Sequence, residues 1–172
     1  MSLAITIKTK PTTRRTSISF NKFTSVEIPS VLSIEERNSD YPWSQLQFIS
    51  SIENSNNLCY CLNLKGKTIG YLIAMLAGDT ADILNIGIDS DFKRQGHGTA
   101  LLNHLIEELK KRNISEILLE VRAGNKSAIQ FYKRQGFEEI SVRKNYYTKN
   151  SKNQSHREDG IIMRIKILSI KN

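Results

Sequence analysis

Residues 58 to 112 carry the pattern that most constrains the fold. Three strand-like runs, Leu58 to Leu64, Thr68 to Ala77 and Ala81 to Ile88, are separated only by Lys65-Gly66-Lys67 and Gly78-Asp79-Thr80. Connections that short join antiparallel neighbours, so the runs predict a meander. The chain then passes through a Gly-containing stretch, Asp89 to Gly98, into a run from Gly98 to Arg112 whose Leu101, Leu102, Leu105, Ile106 and Leu109 share one helical face. A half-buried sheet followed at once by an apolar-faced helix predicts that the helix lies on the sheet, in an α/β (α+β) fold.

The flanking segments extend this plan. Ser17 to Phe23 alternates enough to be a first strand. Thr24 with Glu27, and Ser44 with Gln47, each form the capping-box spacing, predicting one helix from Thr24 to about Asn38 and a shorter one through Phe48, Ile49 and Ile52. Pro29 is tolerated in a first turn. After the meander and the long helix, Ile114 to Val121 reads as a buried strand and Asn125 to Gln135 as a helix ended by Gly136. Phe137 to Tyr147 reads as a strand, the polar segment Thr148 to Glu158 as a flexible loop, and Gly160 to Ile167 as the last strand.

At 172 residues the chain is the size of one domain and needs no disulfide or structural metal to bury a core. Of its net charge of +8, Lys8, Lys10, Arg14, Arg15 and Lys22 contribute +5 before the first acid, Glu27, so only +3 belongs to the remainder. Residues 1–16 are therefore expected to be a basic flexible tail and residues 17–168 the folded domain. The mildly basic domain suits a phosphate-bearing ligand or an anionic assembly such as the ribosome. It carries no aromatic-interleaved basic stripe or DNA-reading helix, so direct nucleic-acid binding is not expected.

No run reaches the roughly 18 apolar residues of a membrane span, so no membrane contact is expected. The first residues lack the apolar core of a secretory leader, which points to a cytoplasmic protein; their Arg, Ser and Thr without acids also fit an organelle transit segment. Cys59 and Cys61 stand two apart on one strand, a spacing that puts both thiols on one face and suits reduced, partly buried side chains. His97, His104 and His156 have no companions at zinc-ligand spacing, so no metal is expected.

The chemistry concentrates at Lys93-Arg94-Gln95-Gly96-His97-Gly98, between a buried strand and the long helix. Backbone N–H groups of such a turn, at the positive end of a helix dipole, can cradle phosphate oxygens, and glycine lets a ligand approach the main chain. Alone, the loop could equally be a plain strand-to-helix connection. In its context it resembles the Gln/Arg-x-x-Gly-x-Gly/Ala loop of the GNAT acetyltransferase family, with Lys93 in place of the commoner Gln or Arg.

The order of elements is similar to that family's as well. A finer likeness runs through Ile34-Glu35-Glu36-Arg37, Tyr41-Pro42-Trp43-Ser44, Asn85-Ile86-Gly87-Ile88, Leu119-Glu120-Val121-Arg122-Ala123-Gly124-Asn125, Lys144-Asn145-Tyr146-Tyr147 and Arg157-Glu158-Asp159-Gly160-Ile161-Ile162-Met163. Together these resemble the branch of the family that acetylates the N-terminal alanine of a small-subunit ribosomal protein.

The resemblance implies a mixed, mostly antiparallel sheet of about seven strands flanked by about four helices. It implies acetyl-CoA as cosubstrate, gripped by Arg94, Gln95, Gly96, His97, Gly98 and Thr99 at its pyrophosphate, by the backbone of Ile86, Gly87 and Ile88 at its pantetheine arm, and by Asn125. It also implies a protein N-terminus, ribosomal or other, as acceptor.

Attack of a neutral amine on a thioester needs a proton acceptor and a proton for the leaving thiolate. Glu120, near the end of an apolar strand, is the candidate base, unless it serves only as an ion-pair partner of Arg122 or Arg143. Tyr132, on a helix face within Asn-x-x-Ala-x-x-x-Tyr, is the candidate acid, unless it is only core. Tyr41, Trp43, Tyr146 and Tyr147 are candidates for the acceptor groove, unless buried. Two other functions fit the same motifs: acetylation of a small amine or lysine side chain, and noncatalytic acetyl-CoA binding. Retention of both Glu120 and Tyr132 argues against the last.

Overall fold

The structure, a computed structural model, describes residues 18–151 and 154–167. The chain opens with β1 (Ile18–Lys22), after which the first capping box forms: the Thr24 N–H donates to the Glu27 carboxylate at 2.8 Å and the Val26 N–H to Thr24 Oγ1 at 3.3 Å. The box starts a 3₁₀ turn at Ser25–Glu27, and helix α1 (Ile28–Asn38) follows with Pro29 in its first turn, so the α-helix begins later than Thr24. The second box closes as expected, with Ser44 N–H donating to Gln47 Oε1 at 2.8 Å at the start of α2 (Gln45–Glu53).

The meander is β2 (Asn57–Leu64), β3 (Lys67–Ala77) and β4 (Thr80–Ile88). Helix α3 (His97–Lys110), β5 (Glu116–Arg122), α4 (Lys126–Arg134), β6 (Glu138–Ser151) and β7 (Gln154–Lys166) complete the chain. The seven strands form one sheet in the order β1-β2-β3-β4-β5-β7-β6, antiparallel throughout except for the parallel pair β4 and β5.

Two apolar layers sandwich the sheet. On one side α3 buries Leu101, Leu102, Leu105 and Leu109 with Ile129 and Tyr132 of α4 against Ile117, Leu119 and Val121 of β5. Each such leucine contributes about 1.5–3 kcal/mol of burial. On the other side, Val31 and Ile34 of α1 and Phe48 of α2 pack on Cys59, Cys61, Tyr71 and Ile73. The two cysteines are free and buried, deeper than expected, and burial pushes their thiols up to about 11 and about 12. His104 stacks on Phe20 at 4.3 Å and meets the edge of Tyr60 at 4.6 Å, so it tacks α3 to the sheet edge.

One expectation is overturned. The described residues of Thr148 to Glu158 are paired strands rather than a loop: β6 and β7 stay paired from Tyr147↔Glu158 to Ser151↔Gln154. A ladder is made by backbone groups, so Ser, Asn and Lys can pair without the apolar alternation that marks a buried strand. The basic tail, residues 1–16, lies outside the described residues.

Candidate active site

The site grows from the place where β4 and β5 part. β4 and β5 pair from Thr80↔Glu116 to Ile83↔Leu119, and there the ladder ends. Leu84 is an extra residue in β4, because pairing with β3 steps from Ala74↔Ile83 to Ile73↔Asn85. Such a bulge bends its strand. Beyond it β4 follows β3 while Glu120 to Arg122 follow β7, opening a cleft of about 210 Å³. Asn85, Ile86, Glu120, Asn125, Tyr132 and Tyr147 are among its lining residues.

The β4 wall is fixed from behind. Gly87 has no space for a side chain, since a Cβ there would lie 2.6 Å from the Tyr71 ring. The Tyr71 hydroxyl donates to the buried carboxylate of Glu35, which also accepts from Asn85 Nδ2 at 3.4 Å and from the Trp43 N–H at 3.0 Å. Burial, and then the Glu35 charge, raise the Tyr71 phenol far above its ordinary value. Glu35 therefore ties the α1–α2 connection to the cleft strand. The Ile88 carbonyl accepts from Asn38 Nδ2 at 2.8 Å, leaving Asn38 Oδ1 buried without a partner.

Past β4, the loop is shaped by Asp89. Its carboxylate caps the 3₁₀ turn Ser90–Phe92, accepting the Asp91 N–H at 3.2 Å, and pairs with Arg37 at 3.2 Å and Lys67 at 3.4 Å. Burial opposes its charge, but these partners outweigh burial and hold the carboxyl below its ordinary value. Arg94 and Gly96 both take left-handed backbone, with φ of 60° and 86°, and Gly96 is the N-cap of α3. No side chain caps that terminus, so its N–H groups are available to an anion. At Gly98 an added Cβ would meet the Phe131 ring at 3.4 Å, an ordinary contact distance, so α3 and α4 lie side by side here. His97 sits in the first turn, its ring 6.3 Å from Phe92, and Thr99 follows half-buried.

On the β5 side, Glu120 Oε2 accepts from Arg143 at 2.8 Å, with the Glu120 side chain 19% exposed. Gly160 leaves room for it: a Cβ there would come within 3.1 Å of the Glu120 carboxyl and 3.3 Å of the Tyr147 ring. Burial, followed by the neighbouring Glu120 carboxylate, raises the Tyr147 phenol. Asn125 N-caps α4 by accepting the Ala128 N–H at 3.1 Å. About two turns along that helix's cleft side, Tyr132 packs on Phe131 and Phe137 at 5.2 and 5.4 Å, and desolvation raises its phenol, keeping it protonated.

The expected residues thus gather in part. Ile86, Glu120, Asn125, Tyr132 and Tyr147 meet in the cleft; Gly87, Ile88 and residues 94–99 continue from its β4 wall. Trp43 lies outside the lining, half-buried against Phe48 at 5.4 Å. Tyr146 is exposed, with the Arg143 guanidinium 3.6 Å from its ring centroid. Glu35, Tyr71, Arg122, Glu158 and Asp159 support the site without having been singled out from sequence. Of these, Arg122 was legible only as a possible ion-pair partner of Glu120, and Glu35, Glu158 and Asp159 only as members of fragments with no role assigned.

The same arrangement occurs in known proteins. The chain is 40% identical over 143 residues to the [ribosomal protein bS18]-alanine N-acetyltransferase of Escherichia coli strain K12, covering 83% of this chain and 93% of that one. It is 36% identical over 134 residues to the enzyme of the same name from Haemophilus influenzae, covering 76% and 86%. The crystal structure of the Escherichia coli ribosomal-protein-S18-alanine N-acetyltransferase superposes with a TM-score of 0.80 at 37% identity, covering 91% of this chain and 97% of that one. Residues 28–137, from the start of α1 to just past the end of α4, match the acetyltransferase (GNAT) family. With its parted strands, its left-handed glycine before α3 and these relatives, the chain belongs to the GNAT family of acetyltransferases.

Proposed function

We propose that this protein transfers acetyl from acetyl-CoA to the N-terminal α-amine of a protein, specifically the N-terminal alanine of a small-subunit ribosomal protein in the cytoplasm. The observation that carries the reading is the cleft itself, which faces a carboxylate on β5 and a buried phenol on α4 across the open edge of β4. The relatives named for that reaction supply the acceptor.

The residues fit acetyl-CoA. The open edge of β4 offers backbone groups to an amide-bearing arm, Asn38 Oδ1 lacks a partner beside it, and the uncapped start of α3 suits the pyrophosphate. In the reaction the amine nitrogen bonds to the acetyl carbon and the carbon–sulfur bond breaks. Glu120 takes the amine's proton, directly or through water, and Tyr132 gives its proton to the departing thiolate. An α-amine, with an ordinary pKa about 8 against about 10.4 for lysine, needs only a modest base.

The cleft lining also favours a peptide over a small polycation. Glu120 is the one acid among the lining residues, with Arg122 beside it, whereas a small polycation would call for several carboxylates.

The test is CoA release from acetyl-CoA with two otherwise identical peptides bearing the N-terminus of the organism's own candidate ribosomal protein. One has a free α-amine and the other a blocked one. Turnover of the free-amine peptide alone is expected; turnover of neither, with acetyl-CoA still bound, sinks the acceptor assignment.

A further inference from the structure

Two walls flank the cleft on the acceptor side, and each is anchored separately. The α1–α2 connection is held by Glu35 at the Trp43 N–H and by Ser39, whose hydroxyl accepts the Tyr41 N–H at 3.1 Å. The β6–β7 hairpin carries a wide bulge, because pairing jumps from Arg143↔Gly160 to Tyr147↔Glu158 and leaves residues 144–146 opposite Asp159 alone. The Asp159 carboxylate fills that gap, accepting the Asn145 N–H at 2.9 Å and pairing with Lys144 at 2.9 Å, while Asn145 turns left-handed at φ 53°. A bulge re-aims the side chains beside it. Here it presents Tyr146 and Tyr147.

Neither anchor joins the walls to one another; Arg122 does. Its guanidinium carbon lies 4.1 Å from the ring centroid of Tyr41 and 4.1 Å from that of Tyr147. Its Nη1 pairs with Glu158 Oε2 at 3.4 Å, and the other oxygen of Glu158 accepts the Gly124 N–H at 2.6 Å. The stack therefore connects residue 41, the end of β5, the turn before α4 and the hairpin. Arg122 is two residues from Glu120 on β5, hence on the same face and about 7 Å further along the strand. A chain whose α-amine reaches Glu120 must lie beside this stack.

We infer that Arg122 is a positioning residue for the acceptor: clamped between Tyr41 and Tyr147, it makes the two walls one surface and so sets how tightly a protein N-terminus is held. The inference rests on the N-terminal acetyltransferase reading above and deepens it. Lysine cannot replace arginine in this role, because the planar guanidinium stacks on two rings at once while an ammonium is a point charge.

The experiment measures KM for the free-amine peptide, KM for acetyl-CoA and kcat on the full chain. Arg122→Lys is expected to raise peptide KM about tenfold, with acetyl-CoA KM and kcat held within about twofold. Tyr41→Leu, at a residue exposed enough to leave folding intact, is expected to act in the same direction, and Tyr41→Phe, which keeps the ring, far less. The double variant Arg122→Lys with Tyr41→Leu is expected to match the larger single effect rather than the product of the two. An unchanged peptide KM in Arg122→Lys and Tyr41→Leu, multiplicative effects, or kcat and both KM values failing together would overturn the assignment. No wild-type turnover of the free-amine peptide would instead remove the acceptor reading and this inference with it.

Discussion

From Thr80 to Ile83, β4 is zipped to β5 by a parallel ladder; from Asn85 to Ile88 the same strand has left β5, and Asn85 and Ile86 border a cleft. Both halves mix apolar and polar residues, Thr80-Ala81-Asp82-Ile83 against Asn85-Ile86-Gly87-Ile88. What separates them is Leu84, the extra residue that bends β4 away. In the paired half β4 has a strand on each side, and Ala81, Ile83, Ile117 and Leu119 are buried. In the open half the edge facing the cleft has no strand partner, a costly arrangement for backbone unless a ligand or water takes its place. The sheet therefore divides into a part that holds the fold and a part held ready for something else.

If that division is right, the two halves should answer mutation in different currencies. The largest effect belongs to the open half: Glu120→Gln and Tyr132→Phe are each expected to cut turnover by roughly 10²-fold or more, the usual cost of a lost base or acid. Binding of acetyl-CoA by calorimetry and the urea midpoint are expected to change little, because both substitutions keep shape. Wild-type turnover in both variants would break the comparison by showing that the open half carries no chemistry.

The next effect belongs to the paired half. Ile117→Ala, at a fully buried position beneath α3, is expected to cost about 2–5 kcal/mol in urea unfolding, while kcat measured well below the melting temperature stays near wild type. A matching fall in kcat would mean that the ladder and the cleft are not separable. Smaller again is Gly96→Ala at the boundary with α3, where left-handed backbone disfavours a Cβ by about 1–2 kcal/mol. Its signature should be a raised KM for acetyl-CoA with the peptide KM unaffected, since no neighbouring atom lies within 4 Å to be displaced.

The paired half was the legible one. Apolar period and short glycine turns are local signals, so the meander, the Leu101 to Leu109 face and both capping boxes could be read directly from residues 24 to 112. The open half depends on register, which no local pattern records. Nothing in Ile83-Leu84-Asn85 announces a bulge, because the extra residue is defined only against β3. Arg122 could be placed beside Glu120, but its stacking partners are Tyr41 and Tyr147, remote in the chain and brought together by the fold. The hairpin past Tyr147 was hidden for another reason: polar residues pair through their backbones as well as apolar ones do, and turn-like composition concealed the ladder.

The smallest expected effect tests whether the far end of the open half is locked by charge. Asp89 is buried against Arg37, Lys67 and the Asp91 N–H, and its folded carboxyl titrates below the ordinary 3.8. A depressed folded value means stability that is fully present above 3.8 and lost as pH falls from there through the folded value. Urea midpoints followed from about pH 6 to about pH 3 should therefore fall more steeply for wild type below 3.8 than for Asp89→Asn, which has no proton to take up. Subtracting the two curves removes the other carboxylates, including Asp159, whose value is also lowered by the Asn145 N–H and Lys144. Because Asp89 caps the turn that leads to Gly96, acid should also weaken acetyl-CoA binding before the sheet unfolds. Parallel curves for wild type and Asp89→Asn would show that the ion pairs around Asp89 stabilise neither the loop nor the fold, and the locked end of the open half would have to be sought in Gly96 and Gly98 alone.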